Sequence, residues 1–271
     1  MNPSAARVSW VDPGDIKRTA GACHRAQYYQ RTGVEGAPHD PYTKWMFSLG
    51  SAVETILVEQ YKQMGIWVDN NIKFYDPVHG ISGEMDVLVK DPATGQLVIL
   101  EIKSLAGYKG IRDVIKGTKG NSKTQAIVPA PKTSQLLQTV LYLDIFKDKV
   151  AYAKMVYYCR DTADRREFDI TLHEEGDSVY PCVDGKVDYR FSVQDIYDSY
   201  TALKEALDSE QLPPRDYEIK YSAAEIEKRK AAGDPFISAP QYKKWKEEGV
   251  PIGDWMCNYC GFSSTCYGKD K

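Results

Sequence analysis

The feature that most limits how this chain can fold is a turn, Asp91-Pro92-Ala93-Thr94-Gly95, set between two strand-like runs. Proline fixes φ and glycine tolerates positive φ, so these five residues reverse the chain. The flanking runs, residues 81–90 and 96–104, then become neighbouring strands of a hairpin. Val98-Ile99-Leu100 in the second run reads as buried on both faces. With the turn centred between Ala93 and Thr94, Asp86 and Glu101 lie equally far from it and face each other, their Cβ atoms ~5 Å apart. Lys103, two residues on, points to the same face. A bulge in the turn shifts this register by one.

Two carboxylates held that close repel each other, and a divalent cation between them removes the repulsion. Hard oxygen donors suit Mg²⁺ or Mn²⁺, and an ammonium on the same face can orient a water or offset charge growing on a phosphate. The same three residues also occur as an ordinary surface hairpin with a Glu–Lys pair, so the rest of the chain has to decide.

Two helices bear on the choice. Residues 43–63 have helical periodicity, with Thr55, Glu59 and Lys62 outward and Phe47, Gly50, Val53, Leu57 and Tyr61 inward. Glu54 falls on the inward flank, where a carboxylate is costly unless paired or bound to metal. Residues 133–146 form a second helix, on which Gln138 and Tyr142 are four apart and share a face, placed to bracket the site and to touch DNA. Further strands are expected over 66–74, 150–158 and 166–172. A capping box at Ser192–Asp195 opens a helix to about Asp208. A helix over 14–31 carries Cys23, and residues 105–132, rich in Gly, Lys and Pro, read as a long loop.

The chain of 271 residues is 42% hydrophobic and 27% charged, enough for a sizeable core in one unit with an accessory lobe. Its net charge of −3 excludes general cationic binding of nucleic acid, so any such contact must be local. Between Ser104 and Lys132 stand Lys109, Arg112, Lys116, Lys119, Lys123 and Lys132 against the single acid Asp113. This local excess of positive charge suits phosphates, and Tyr108 in the same segment is able to stack on a base. There is no GxxxxGK[ST] phosphate loop. The absence of a signal-like run in Met1–Trp10 and of a membrane-length apolar stretch leads to the expectation of a cytoplasmic protein with no membrane partner.

In a reducing compartment the six cysteines need an account other than disulfides. Cys257, Cys260 and Cys266 have the spacing C-x2-C-x5-C, three local thiols where a soft-metal site usually takes four; Cys23 is the natural fourth. Spacing leaves zinc and iron–sulfur both open. Cys159 and Cys182 read as isolated core residues.

Taken together these motifs resemble the RecB-like branch of the PD-(D/E)XK nucleases, specifically its members with an iron–sulfur cluster: CRISPR-associated RecB-like exonucleases, the AddB nuclease domain and phage-borne relatives. The matching pieces run in order: Cys23 followed by His24-Arg25-Ala26-Gln27-Tyr28-Tyr29, Gly50 to Glu54, Gly83 to Asp86, Glu101-Ile102-Lys103, Gln138 to Tyr142, and the three late cysteines. The resemblance implies an α/β fold with a restriction-endonuclease-like core, a mixed central sheet flanked by helices, over about 43–210. It also implies a helical lobe from 14–42 and 211–271, stapled by a [4Fe–4S] cluster on Cys23, Cys257, Cys260 and Cys266. It implies Mg²⁺ or Mn²⁺ on Glu54, Asp86, Glu101 and the Ile102 carbonyl, with Lys103 assisting. The activity implied is that of a deoxyribonuclease, an exonuclease on single strands or DNA ends, or a DNA-end subunit working with recombination or CRISPR-adaptation proteins. A zinc-stabilised interaction protein is the reading that would remain if the carboxylate motif were chance. The chain departs from the family's pattern at Glu54, where many members have His, and at Met85, where Pro is customary.

Overall fold

A computed structural model of the chain describes residues 23–38, 40–120, 126–234 and 237–268, the Trp255 side chain excepted. Its centre is a seven-stranded mixed sheet whose spatial order follows chain order: β1 (Trp67–Asp76), β2 (Ile81–Lys90), β3 (Leu97–Leu105), β4 (Tyr152–Cys159), β5 (Arg165–Glu175), β6 (Ser178–Val183) and β7 (Lys186–Val187). Each neighbouring pair is antiparallel except β3–β4, which is parallel. A parallel pair needs a crossover, and the chain between β3 and β4 contains α3 (Gly107–Gly110) and α4 (Thr133–Ile145).

The Asp91–Gly95 turn forms as its residues dictate. Asp91 donates its N–H to the Gln96 carbonyl at 2.8 Å, its carboxylate takes the Ala93 N–H at 2.8 Å, and Gly95 adopts φ +73°. Pairing then runs through Lys90↔Leu97, Val89↔Val98, Leu88↔Ile99 and Val87↔Leu100, the register expected without a bulge.

Helices lie on both faces of the sheet. The helix α2 (Pro41–Gln63) starts where Asp40 caps the Thr43 N–H at 2.9 Å and Pro41 occupies the first turn. It buries Leu57, Val58 and Tyr61 against Val87, Val98, Leu100, Ile102 and Val156. On the other face α4 and α5 (Val193–Asp208) pack Leu136, Leu137, Val140, Leu141, Ile196 and Tyr200 over Met85, Ile99, Met155 and Phe168. The Ser192–Asp195 capping box is present at the start of α5.

A smaller core of Tyr221, Ile226, Ile237 and Ile252 lies in the later part of the chain, around α6 (Ala223–Ala231) and α7 (Ala239–Glu248). The short helices α8 (Trp255–Asn258) and α9 (Ser263–Tyr267) follow. They meet α1 (His24–Arg31): Ala37 donates to the Gly261 carbonyl at 2.8 Å, and the Tyr29 and Phe262 rings are 5.8 Å apart.

Four expectations change. Cys23 caps α1 rather than lying inside it, and residues 14–22 of the expected helix fall outside the described residues. Residues 105–132 are not simply a loop: α3 runs into a π-helical stretch, Ile111–Lys116, and Thr118 bridges back to Ile127. Gly117 makes that return possible, because a Cβ there would meet the Ile127 carbonyl oxygen at 2.4 Å. Phe47, expected inward, is 52% exposed, since the residues α2 buries are all in its second half. Finally, β6 and β7 extend the sheet beyond the expected strands.

Candidate functional site

The last pair of the β2–β3 ladder on its open side is Val87↔Leu100, and Asp86 and Glu101 follow where the ladder ends. There Asp86 Oδ2 accepts the Ile102 N–H at 2.7 Å. The bond turns the Asp86 carboxylate toward the backbone of the Glu101-Ile102-Lys103 segment. Glu101 is fully buried, with one oxygen against the Lys103 ammonium, which lies 3.9 Å from Asp86 Oδ2. Its other oxygen, Oε2, is buried with no hydrogen-bond partner. A buried acceptor without a donor is costly, and a carboxylate oxygen more so.

The electrostatics follow from this crowding. Burial, and then the neighbouring Asp86 carboxylate, push the Glu101 acid up to about 8. Burial raises Asp86 as well, against the pull of Lys103. Glu54, on α2, is raised by burial and then by Asp86. Burial works against the Lys103 charge, but Glu101 and Asp86 more than offset it and hold the ammonium above its ordinary range. One lysine therefore faces three carboxylates that resist ionising together. Hard oxygen donors with an unmet lone pair and surplus negative charge fit a divalent cation. Among the described residues no three His, Cys, Asp or Glu side chains are closed into a chelate; Glu54 Oε1 accepts from Asn71 Nδ2 at 3.3 Å.

Tyr142 lies beneath this group. It is 1% exposed, and Gln138 Nε2 donates to its hydroxyl oxygen at 2.8 Å. Direct contact of Tyr142 with nucleic acid, expected from its helical face, does not hold at that burial; its hydroxyl stays within the electrostatic reach of Glu101 and Asp86, and half-buried Gln138 is the member of the pair that reaches toward solvent. The glycine of the GxxD motif has a steric reason. A Cβ on Gly83 would stand 2.5 Å from the Phe74 ring and 2.9 Å from Tyr142, so its absence lets those two rings pack edge to face at 5.3 Å. Gly50 carries no such demand, since a Cβ there would make ordinary contact with Ser104.

The basic segment is partly neutralised. Arg112 pairs with Asp113 at 2.6 Å, Lys109 reaches the same carboxylate at 3.7 Å, and Lys116 pairs with Asp164 at 2.7 Å. Tyr108 is 74% exposed beneath the Arg112 guanidinium, and Lys119 is exposed. Lys132 is half-buried, and Lys123 lies outside the described residues.

Cys23, Cys257, Cys260 and Cys266 line one pocket, with Arg25, Tyr29 and Arg215 on its walls. Arg25 Nη1 stands 3.9 Å from the Cys266 sulfur, and Arg215 donates to the Cys266 carbonyl at 2.9 Å. The Tyr267 hydroxyl lies 3.8 Å from the Cys257 sulfur. Burial pushes the Cys23 thiol up to about 12 and the Cys257 thiol up to about 11. Four thiols around one space, with two guanidiniums to offset thiolate charge, are a donor set suited to a soft metal centre. Cys159 is fully buried in β4, and Cys182 is in β6; neither joins the pocket.

No family model matches this chain, and no curated protein matches it. A solved structure described as "Crystal structure of SSO0001" is similar over 96% of this chain and 87% of its own, at 15% identity and a TM-score of 0.42. A likeness that distant carries no argument about the site.

Two residues at the site escaped sequence reasoning. Glu84, inside the GxxD motif, lies beside Asp86 and Glu54. Asn71 of β1 donates to both Glu54 and Glu84. The signal available for Asn71 was the Asn70-Asn71 dipeptide in a strand-like run, a composition that favours turns and positive φ.

Proposed function

We propose that this chain is a metal-dependent deoxyribonuclease built on a restriction-endonuclease-like core. The observation that carries the reading is Glu101: a fully buried carboxylate with one oxygen on Lys103 and the other unpartnered, next to Asp86. Asp86, Glu101, Glu54 and the Ile102 carbonyl would hold Mg²⁺ or Mn²⁺. A divalent ion so bound supplies Lewis acidity toward a phosphodiester and lowers the pKa of a coordinated water. Lys103, kept charged by its two carboxylates, has the reach to orient that water or to offset charge growing on the phosphate. Tyr142 and Gln138 keep the floor of the site in shape. Exposed Tyr108, with Lys109 and Lys119, offers a stacking ring and cations to a strand, and Arg112 and Lys116 would exchange their present acids for phosphates. Action on single strands or ends in the cytoplasm, alone or with recombination or CRISPR-adaptation proteins, rests on the family resemblance.

End-labelled single- and double-stranded DNA with Mn²⁺ tests this. Wild type should degrade it; Asp86→Ala and Lys103→Ala should each lose at least ~10²-fold in rate, the usual cost of removing one preorganised charged group. Equal cleavage by both variants would sink the assignment.

We further propose that Cys23, Cys257, Cys260 and Cys266 hold a [4Fe–4S] cluster, supported by their shared pocket and flanking arginines. Anaerobically purified protein should be brown, with iron and sulfide each at about four per chain. A colourless preparation with one zinc per chain would replace the cluster by zinc.

A further inference from the structure

Asn71 stands in β1 at a place where the sheet opens. The pairs Asn70↔Val87 and Ile72↔Met85 flank it, so the residue it faces across β1–β2 is Asp86. Asp86 and Glu101 are the next residues of β2 and β3 beyond the pair Val87↔Leu100. Asn71 therefore stands in the sheet beside the strand that carries Asp86. Here Asn71 leaves the extended conformation for φ +54°, a left-handed state that few residues other than Gly, Asn and Asp adopt readily. A non-glycine residue kept in that state in mid-strand needs a reason.

Its side chain supplies one. Asn70 Nδ2 donates to Asn71 Oδ1 at 2.5 Å, and Asn70 is itself held by the Trp67 indole N–H at 3.2 Å. Fixing the oxygen end of the Asn71 amide fixes the nitrogen end as well. Asn71 Nδ2 then has two hydrogens and spends them on two carboxylates, Glu84 Oε1 at 3.0 Å and Glu54 Oε1 at 3.3 Å. Glu54 comes from α2 and Glu84 from β2, so one amide links helix, strand and neighbouring strand at the mouth of the site. Glu54 is the one candidate ligand that comes from outside the sheet. Its carboxylate is also repelled by Asp86; without a donor to hold it, it would turn away.

We propose that Asn71 is a positioning residue that holds Glu54 facing Asp86 and Glu101, so that the three carboxylates present their oxygens to one divalent cation. The inference rests on the reading of this group as a cation site. Partners that orient metal-binding side chains typically account for 10–100-fold in metal affinity.

The test is Mn²⁺ binding to the whole chain by calorimetry, without DNA, for wild type, Asn71→Gly, Glu54→Gln and the double variant. Glycine keeps the left-handed backbone and removes only the amide, and unfolding followed by circular dichroism in EDTA checks that the fold is retained. Asn71→Gly should weaken Mn²⁺ roughly 10–100-fold. In the Glu54→Gln background the same change should add less than about 2-fold, because the charged ligand that Asn71 positions is gone and only a weakly ligating amide oxygen remains. Wild-type affinity in Asn71→Gly, or an undiminished further loss in the double variant, overturns the positioning role. A wild-type chain that binds no Mn²⁺ instead overturns the cation-site reading beneath it.

Discussion

At the residue scale, the chemistry turns on Glu101, a carboxylate held away from water. Its acid is pushed up to about 8 from an ordinary 4.5 by burial and by Asp86. A raised folded-state pKa means that the protonated form is favoured on folding. Its contribution to stability is thus complete below about pH 4.5 and is lost as pH rises toward 8. Asp86 and Glu54 are shifted in the same direction. In EDTA, the unfolding temperature should therefore fall between pH 5 and 8, by about 2–4 °C for each kcal/mol at this chain length. Mn²⁺ should restore it most at the upper end, where the carboxylates are free to ionise around the ion. Glu101→Gln should flatten the EDTA curve; a curve that keeps its slope in that variant would place the pH dependence elsewhere. The β2–β3 register was legible from sequence because Pro92 and Gly95 fixed the centre of a turn, and counting outward gives the pairs Lys90↔Leu97 to Val87↔Leu100. The register of β1 against β2 was open to the same count, since Asp76-Pro77-Val78-His79-Gly80 repeats the Asp-Pro-x-x-Gly pattern and the pairs Asn70↔Val87 and Ile72↔Met85 are centred on it; the positive φ that brings the Asn71 amide to Glu54 and Glu84 was not legible.

At the element scale, Gly83 decides how closely α4 approaches β2. A methyl group there would overlap the Phe74 and Tyr142 rings, and overpacking of this kind costs about 1–3 kcal/mol. Gly83→Ala should lower the unfolding temperature by several degrees and slow DNA cleavage by shifting Tyr142 beneath Glu101; Gly50→Ala, with ordinary contacts at its Cβ, should leave stability nearly unchanged. Thermal melts of the two variants side by side check the contrast, and equal losses would remove the steric account of the GxxD glycine. Elements with strong local signals were readable: the Pro41–Gln63 helix through its periodicity, and α5 through its capping box. The π-helical stretch after β3 was hidden by Gly107, Gly110 and Gly117, whose density reads as loop. Strand β6 carries Pro181, a residue that demotes a strand assignment, and β7 is two residues long.

At the scale of the whole molecule, the thiol pocket joins residues far apart in the chain, Cys23 at one side and Cys257, Cys260 and Cys266 at the other. A bound cluster would act as a cross-link over more than two hundred residues, and the loop-closure picture gives such a link several kcal/mol (roughly 4–5). Cys260→Ser, or chelation of the metal, should expose the segments around Tyr29 and Phe262 to limited proteolysis while leaving the β1–β5 sheet protected. Uniform protection with and without metal would show that packing alone holds the two ends together. That the two ends meet was readable from cysteine count and spacing; the small core of Tyr221, Ile226, Ile237 and Ile252 beneath them was not, because its apolar residues are too sparse to show a period.

The agreement between strand order and chain order has a consequence for biosynthesis. A sheet laid down in sequence grows one edge at a time as the polypeptide emerges, and β1, β2 and β3, which carry Asn71, Asp86, Glu101 and Lys103, are complete by Leu105. The thiol pocket lacks a wall until Cys266 has been synthesised. The acidic centre is therefore assembled early, and the thiol centre late. A ribosome-bound fragment ending shortly after β4 would carry these carboxylates without the thiol pocket, whose four cysteines come together only after Cys266 has emerged.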